Sequence, residues 1–427
     1  MIIALIVLLI VMLLLGAPLF AVILAATMLG FYQAEVDLSV IATEIYRIAD
    51  TPLLVALPLF TLSGYLLSES QTSQRLLRLT RAWFGWMPFG LAIISLLTCA
   101  MFTAFTGASG VTIVALGALL LPVLIQEGYN SKFSLGLVTT TGCLGLLLPP
   151  SVPLILYGVI VQQINLGEKF TLQQLFLAGL LPSLLMIALL AGWAVWANRR
   201  VTLDRSAFNW PEGLASLKAI AWELPLPLFI AGGLFGGFLA ISEVAAVTAL
   251  YVLIIEIFIY KEIRFNQLMH VMTEAMKMLG GILLILGVSM AFTNYLIDAE
   301  VPTRLFDWIK AHIDSKFSFL LLLNLFLLLL GAILDIFSAL VIMVPLILPV
   351  AISFGIHPIH LGIIFLANMQ IGYLTPPVGM DLFIASYRFN KSITELYQAT
   401  LPFVLVLLLA VVIITYVPWL SLWFLNP

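Results

Sequence analysis

The chain has 427 residues, 63% of them hydrophobic and only 9% charged, with 18 Lys and Arg against 21 Asp and Glu. Its mean hydropathy of +1.18 means more apolar surface than a soluble domain of this length hides, so the chain belongs in a lipid bilayer. The near-neutral balance and scattered basic residues exclude a nucleic-acid partner, because no Lys/Arg cluster is large enough to track a phosphate backbone.

Residues 2–31 are a retained first span kinked near Gly16 and Pro18, too long for a signal-peptide core. Segment 34–50 mixes charge with apolar residues at helical spacing and reads as an arm along the membrane surface. The apolar stretch 52–67 has Thr61, Ser63 and Gly64 at its centre and reads as a re-entrant hairpin. Run 89–126 exceeds one crossing and contains Gly107 to Gly110, which predicts a helix broken in mid-membrane. Run 133–163 carries Pro149-Pro150, where the residue before proline leaves helical geometry. Run 174–197 is a plain span. Cys99 and Cys143 sit in apolar runs as small hydrophobes, with no redox or metal motif.

A polar stretch at 201–227 separates a first half, 1–200, from a second, 228–427. Region 224–260 is expected to cross twice, with Gly232, Gly233, Gly236 and Gly237 allowing close helix approach. Segment 261–278 reads as a second arm, and 279–297, with Ser289, Ala291, Thr293 and Asn294, as a second hairpin. Run 317–352 is a second broken helix around Gly331 to Asp335, run 360–386 carries Pro376-Pro377, and 397–424 closes the chain. His357 and His360 are expected in a surface loop rather than a metal site, and His270 and His312 on solvated or interfacial faces.

Pro122, Gly128, Gly145, Pro149 and Pro150 each meet the same residue type 227 positions later, at Pro349, Gly355, Gly372, Pro376 and Pro377. The chain is therefore a duplication. Broken apolar segments at matching places in two halves point to the binding site of a secondary transporter. Two crossings in 224–260 make the repeats inverted. Counting basic residues at span ends places the side with Arg199, Arg200, Lys261, Arg264, Arg388 and Lys391 in the cytoplasm, opposite Arg47, Arg75, Arg78 and Arg81, with the N-terminus inside. The fold class is thus an all-α polytopic membrane protein of two inverted repeats with re-entrant helical hairpins and broken transmembrane helices.

Thr106 to Thr112 places two glycines, a serine and two threonines inside an apolar run. Irregular backbone at that depth survives when it lines a polar cavity, and unwound carbonyls with Ser and Thr hydroxyls suit a small hard cation. Close packing through small residues is the alternative. Asp335 has no Lys or Arg near it in sequence, so a bound cation is its natural partner, with a helix-terminus role as the alternative. Thr375 to Gly379 and Leu148 to Pro153 form the other matched pair. No catalytic residues are assigned: the G-x-S-x-G spacing fails at Val111, HExxH is absent, and no Walker A loop exists for ATP. A channel is a better rival than an enzyme, but the paired hairpins and the lack of a ring-forming filter motif disfavour it.

The stretches TGASGVTIVALGALLLPVL and EGYNSKFSLGLVTTTGCLGLLLPPSVPLILYG, from Thr106, resemble the large membrane subunit of the tripartite ATP-independent periplasmic (TRAP) transporters. So do PLILPVAISFGIHPIHLGIIFLANMQIGYLTPPVG, from Pro345, and PLFTLSG at Pro58 to Gly64. The resemblance implies a bacterial inner-membrane permease that takes an organic acid anion, such as a C4-dicarboxylate or sialic acid, from a soluble periplasmic binding protein and moves it inward with Na+. It implies an elevator mechanism and a separate small four-helix membrane subunit, expected as another polypeptide because the chain starts at the first span of the large subunit. Carried over, Ser63 and Gly64 with Gly107, Ser109 and Gly110 hold one sodium ion. Ser289, Gly331, Asp335, Thr375 and Gly379 hold the other, and Thr106, Thr112, Ser151 and Asn294 are assigned to the substrate. The other reading is a sodium-coupled carboxylate carrier that needs no binding protein.

Overall fold

The computed structural model describes residues 9, 11–12, 15–49, 52–86, 90–164, 166–199, 209–236, 239–313 and 315–425. Among them all regular structure is helical, and eight helices are long and apolar enough to cross a membrane. Part of the expected first span, mainly its first residues, lies outside the described residues. Where it enters them, Gly16 takes a left-handed φ of 77° and helix α1, Leu19–Gln33, starts afresh after Pro18. Helix α2, Ser39–Ala49, is the amphipathic arm.

The stretch read as a first re-entrant hairpin is one helix, α3, Ala56–Glu69. Its central Ser63 hydroxyl bonds back to Leu59 O at 2.7 Å, so the polar centre is satisfied without a turn. Helix α4, Thr72–Phe84, follows. The hairpin lies instead in the run read as a broken helix. Helix α5, Gly90–Thr106, and helix α6, Ser109–Gln126, fold back on each other: Thr103 and Thr112 Oγ1 touch at 2.7 Å, whereas nine residues of continuous helix would hold them about 13 Å apart. Gly107 makes the reversal with a φ of 67°.

Helix α7, Ser131–Thr141, is capped by Asn130 and runs from the open end of this hairpin to its tip. There a Cβ on Gly142 would lie 3.1 Å from Ser109 O, and one on Gly145 would lie 2.2 Å from Ala100 O. After the Pro149-Pro150 break, helix α8, Val152–Ile164, continues the crossing. Helix α9, Leu172–Asn198, starts with a Thr171/Gln174 capping box. The junction between halves falls partly outside the described residues. Its described part is the short helix α10, Trp210–Ala219, held on α4 by the Trp83–Trp210 ring contact and the Arg78–Glu212 ion pair.

Helix α11, Pro225–Phe235, is followed by helix α12, Ile241–Ile259. A Cβ on Gly233 would lie 2.8 Å from Val244 Cγ2, so the two fold together. Both ends of the pair return to one residue: Arg75 on α4 contacts Glu223, before α11, and Glu256 and Glu262, at the end of α12 and just past it. The chain goes out and back, as two crossings require. The same contacts correct the charge count, because Arg75 and the Lys261–Arg264 loop lie at one end of the molecule rather than at opposite ends. Arg81 pairs with Glu127 at the open end of the first hairpin, which puts that hairpin's entry at this basic end.

Helix α13, Phe265–Asp298, is continuous through the stretch read as arm plus second hairpin. Helix α14 is Val301–His312. The second hairpin is formed by α15, Lys316–Ile333, and α16, Ile336–Ser353. Phe319 stacks on Phe354 at 4.5 Å, and Lys316 Nζ donates to Gly355 O at 2.7 Å, so the far ends of the two arms meet. Helix α17, Pro358–Gly372, and helix α18, Met380–Phe389, flank the Pro376-Pro377 break. Helices α19, Ile393–Tyr416, and α20, Trp419–Leu422, end the chain. His357 caps α17 and meets Glu168 at 3.0 Å. His360 is buried, not in a surface loop, with its ring nitrogens on Ser421 Oγ and Thr415 O.

The hairpins enter from opposite ends. Helix α8 leaves the first tip, where Val152 abuts Gly107, and reaches the open end of the second hairpin, where Tyr157 donates to Pro358 O and Gly167 abuts Ile352. Helices α17 and α18 make the reverse passage. Gly372 meets Gly331 at the second tip, and α18 then runs along α6, with Ile384 against Gly110 and Phe389 against Gly117. The inverted duplication read from the 227-residue offset is thus a pair of hairpins aimed at one another, each threaded by a broken helix.

Candidate functional site

The two hairpin tips converge on a cavity of about 650 Å³. Gly107 to Val111 line it from the first tip and Asp335 to Phe337 from the second, with Leu146 and Tyr373 contributed by the two broken helices. Leu146 and Tyr373 are themselves 227 positions apart, so the duplication brings equivalent positions to the same space. Tyr65, Ser68 and Glu69 of α3, His270, Val271, Glu274 and Met278 of α13, and Met380 and Ile384 of α18 also line it. Glu69 and His270 are exposed and stand near the basic end, so the cavity opens toward that end.

The tips differ chemically. Asp335 is the N-cap of α16: Oδ1 accepts from the Phe337 and Ser338 amides at 3.0 and 2.9 Å, and Oδ2 from the Ser338 hydroxyl. The carboxylate is half-buried and lines the cavity. Ala108 occupies the equivalent place before α6 and offers no side-chain cap. The first amides of α6 therefore keep the unsatisfied donors and positive end of a helix N-terminus beside the cavity. Ile113–Gly117 is a π turn within α6 of a kind common near functional sites.

Gly107, Ser109, Gly110 and Asp335 line the cavity. Gly64 supports the first tip from behind, since a Cβ there would lie 2.4 Å from Phe105 O. Thr106 bonds backbone within the tip, Thr112 meets the Thr103 hydroxyl, and Ser151 donates to Leu146 O, so these three hydroxyls are engaged within the fold, and none of the three residues lines the cavity. Gly331, Thr375 and Gly379 gather behind the second tip. Ala332 O accepts the Val378 and Gly379 amides at 3.2 Å, Gly379 has a φ of 62°, and Thr375 bonds Gly372 O. Ser63, Ser289 and Asn294 lie along α3 and α13, outside the cavity wall. Ser289 is buried with a hydroxyl that has no hydrogen-bond partner.

Asp381, in the first turn of α18, was not singled out from the sequence. It is fully buried, and its Oδ1 accepts from Ser109 Oγ at 2.6 Å across 272 residues of chain. The available signal was a lone carboxylate two residues past Gly379 in the repeated Pro-Pro element.

Opposed hairpins, broken helices and a cavity between the tips define the membrane carrier of a secondary transporter. The chain matches the family described as the tripartite ATP-independent periplasmic transporter, DctM component, over residues 6–420, and it belongs to that family. It is 30% identical to the C4-dicarboxylate TRAP transporter large permease protein of Rhodobacter capsulatus, over 97% of this chain and 96% of that protein. With the Pseudomonas aeruginosa C4-dicarboxylate large permease it shares 32% identity over 90% of this chain and 88% of that one. It is 31% identical, over 87% of its length, to the isethionate TRAP transporter permease DctMQ of Oleidesulfovibrio alaskensis, of which it spans 58%. Among solved structures, the YdaH transporter of Alcanivorax borkumensis shares the fold, with a TM-score of 0.67 over 91% of this chain and 89% of that one at 16% identity. These relatives are permeases rather than enzymes, and the chain is a multi-pass protein of the bacterial inner membrane.

Proposed function

We propose that the chain is the carrier subunit of a sodium-coupled uptake system for an organic acid anion, delivered by a periplasmic binding protein and moved by an elevator motion of the two-hairpin body. A small four-helix membrane subunit completes the scaffold, as a separate polypeptide or fused. The observation that carries this reading is the meeting of two opposed hairpin tips at one cavity, with the uncapped N-terminus of α6 beside it. An uncapped helix N-terminus suits a carboxylate, and oxygen-rich tips suit a small hard cation. The cavity-lining Asp335 fits the cation half of that requirement. Relatives are named for C4-dicarboxylates, isethionate and 2,3-diketo-L-gulonate, which supports an organic acid without selecting one.

The test is uptake into proteoliposomes holding this chain with its small subunit, under an imposed sodium gradient, with and without the binding protein. Uptake that needs both sodium and the binding protein is expected. Sodium-driven uptake without the binding protein would make the chain a stand-alone carrier, and gradient-independent flux would make it a channel. In the same assay Asp335→Asn should raise the half-saturating sodium concentration by about tenfold, the loss of one charged ligand. Expression should hold, because Asn caps a helix as well as Asp does. An unchanged sodium curve removes Asp335 from the sodium site.

A further inference from the structure

We infer that the cation site of the first hairpin takes its negative charge from Asp381, a residue of the other half of the chain. This rests on the sodium-coupled reading above. The residues assigned to the first site from the sequence, Ser63, Gly64, Gly107, Ser109 and Gly110, supply only hydroxyl and backbone oxygens. Asp381 supplies what that set lacks. Its side chain is 0% exposed, Oδ1 is held by Ser109, and Oδ2 is buried without a hydrogen-bond partner. Among the described residues no basic side chain pairs with it, and Ser109 gives it its one side-chain hydrogen bond.

A carboxylate in that position is costly unless something positive meets its free oxygen. Ser109 donates to Oδ1, and the N-terminal turns of α6 and α18 both meet there, each bringing a partial positive charge. The Asp381 amide is fixed on Tyr373 O at 3.2 Å, so the carboxylate is positioned by backbone as well as by its side-chain bond. Helix α7 packs on α18, and the Thr140 hydroxyl near its C-terminal end is also fully buried and unpartnered. The arrangement is cross-wired: hairpin one provides the hydroxyl and the second half provides the charge, so occupancy of the site ties the first tip to the second repeat.

The purified full chain in nanodiscs, its thermal unfolding followed by tryptophan fluorescence, is titrated with sodium chloride against choline chloride at constant ionic strength. Wild type should be stabilised by sodium, and Asp381→Asn should raise the half-saturating sodium concentration by about tenfold or more. Ser109→Ala, which removes one hydroxyl, should shift it in the same direction by less, and it provides the readout should Asp381→Asn not fold. A sodium response in both variants equal to that of wild type overturns the inference and leaves sodium coupling intact. A wild type indifferent to sodium over choline overturns both. Stabilisation of wild type by acid at fixed sodium, lost in Asp381→Asn, would make Asp381 a proton carrier and also overturn the inference.

Discussion

Arg75→Ala should destabilise the protein by about 3–5 kcal/mol, the cost of removing one partner from a buried charge cluster. Arg75 is 9% exposed and serves three carboxylates: Nε lies 3.1 Å from Glu223 Oε1, the two terminal nitrogens contact Glu223 and Glu262, and Glu256 lies 3.7 Å away. Its guanidinium also sits 3.9 Å over the Tyr260 ring. Burial alone would lower its pKa, but the hydrogen bonds and charges of Glu223 and Glu262 outweigh that and raise it above the ordinary arginine value. Without Arg75, three carboxylates face each other at the junction of α4, α11 and α12. Arg75→Lys keeps the charge but not the planar fork, and it should fall between alanine and wild type. Glu256→Gln should have the opposite sign or none, because both oxygens of Glu256 are buried without hydrogen bonds and the cluster has carboxylates in excess. Thermal unfolding in detergent, by fluorescence-detected size exclusion, checks the series; equal midpoints for Arg75→Ala and wild type would mean that the cluster is hydrated and contributes little.

The duplication was legible because its markers do the same mechanical work in each half. Gly128 and Gly355 take left-handed φ values of 93° and 71° just past the second arm of each hairpin, where a helix must stop. Gly145 and Gly372 each pass in backbone contact with the end of their half's first hairpin arm, at Ala100 and Ala104 in one and at Gly331 in the other. The hairpins themselves were misplaced because a helix, a polar tip and a returning helix have the same hydropathy profile as one long broken helix. Only contacts such as Thr103–Thr112 and Phe319–Phe354 separate the two. Conversely, Ser63 and Gly64 looked like a tip and are the seam where α3 packs behind one. Asp335 was legible as a carboxylate alone in an apolar run. Asp381 was not, because its significance depends on Ser109, which the fold brings to it from the opposite half.

Gly372→Val should cost about 1–3 kcal/mol by overpacking and should lower uptake by as much as about a hundredfold, the penalty for misplacing a positioned site by ~1 Å. A Cβ at Gly372 would stand 2.5 Å from Gly331 Cα and C and 3.0 Å from Ala332 N, all of them backbone, so no side-chain rotation relieves it. Helices α15 and α17 cross here through two glycines, the close approach that membrane helices use in place of a hydrophobic driving force. What lies beyond the crossing makes the effect functional as well as structural. Ala332 O holds the Val378 and Gly379 amides, and the Tyr373 hydroxyl accepts from Ile336 N, so parting the helices moves the Asp335 tip relative to the Pro376-Pro377 turn and the first turn of α18, which carries Asp381. Gly372→Ala should show the same defects at smaller size. Gly192→Ala is the control: beyond its own stretch of helix no atom lies within 4 Å of the added carbon, and alanine in place of a helical glycine should raise stability slightly, by up to about 1 kcal/mol. Uptake and thermal midpoint measured on the three variants decide the matter, and a Gly372→Val protein with wild-type uptake would mean that the second tip tolerates displacement and does not set the geometry of the site.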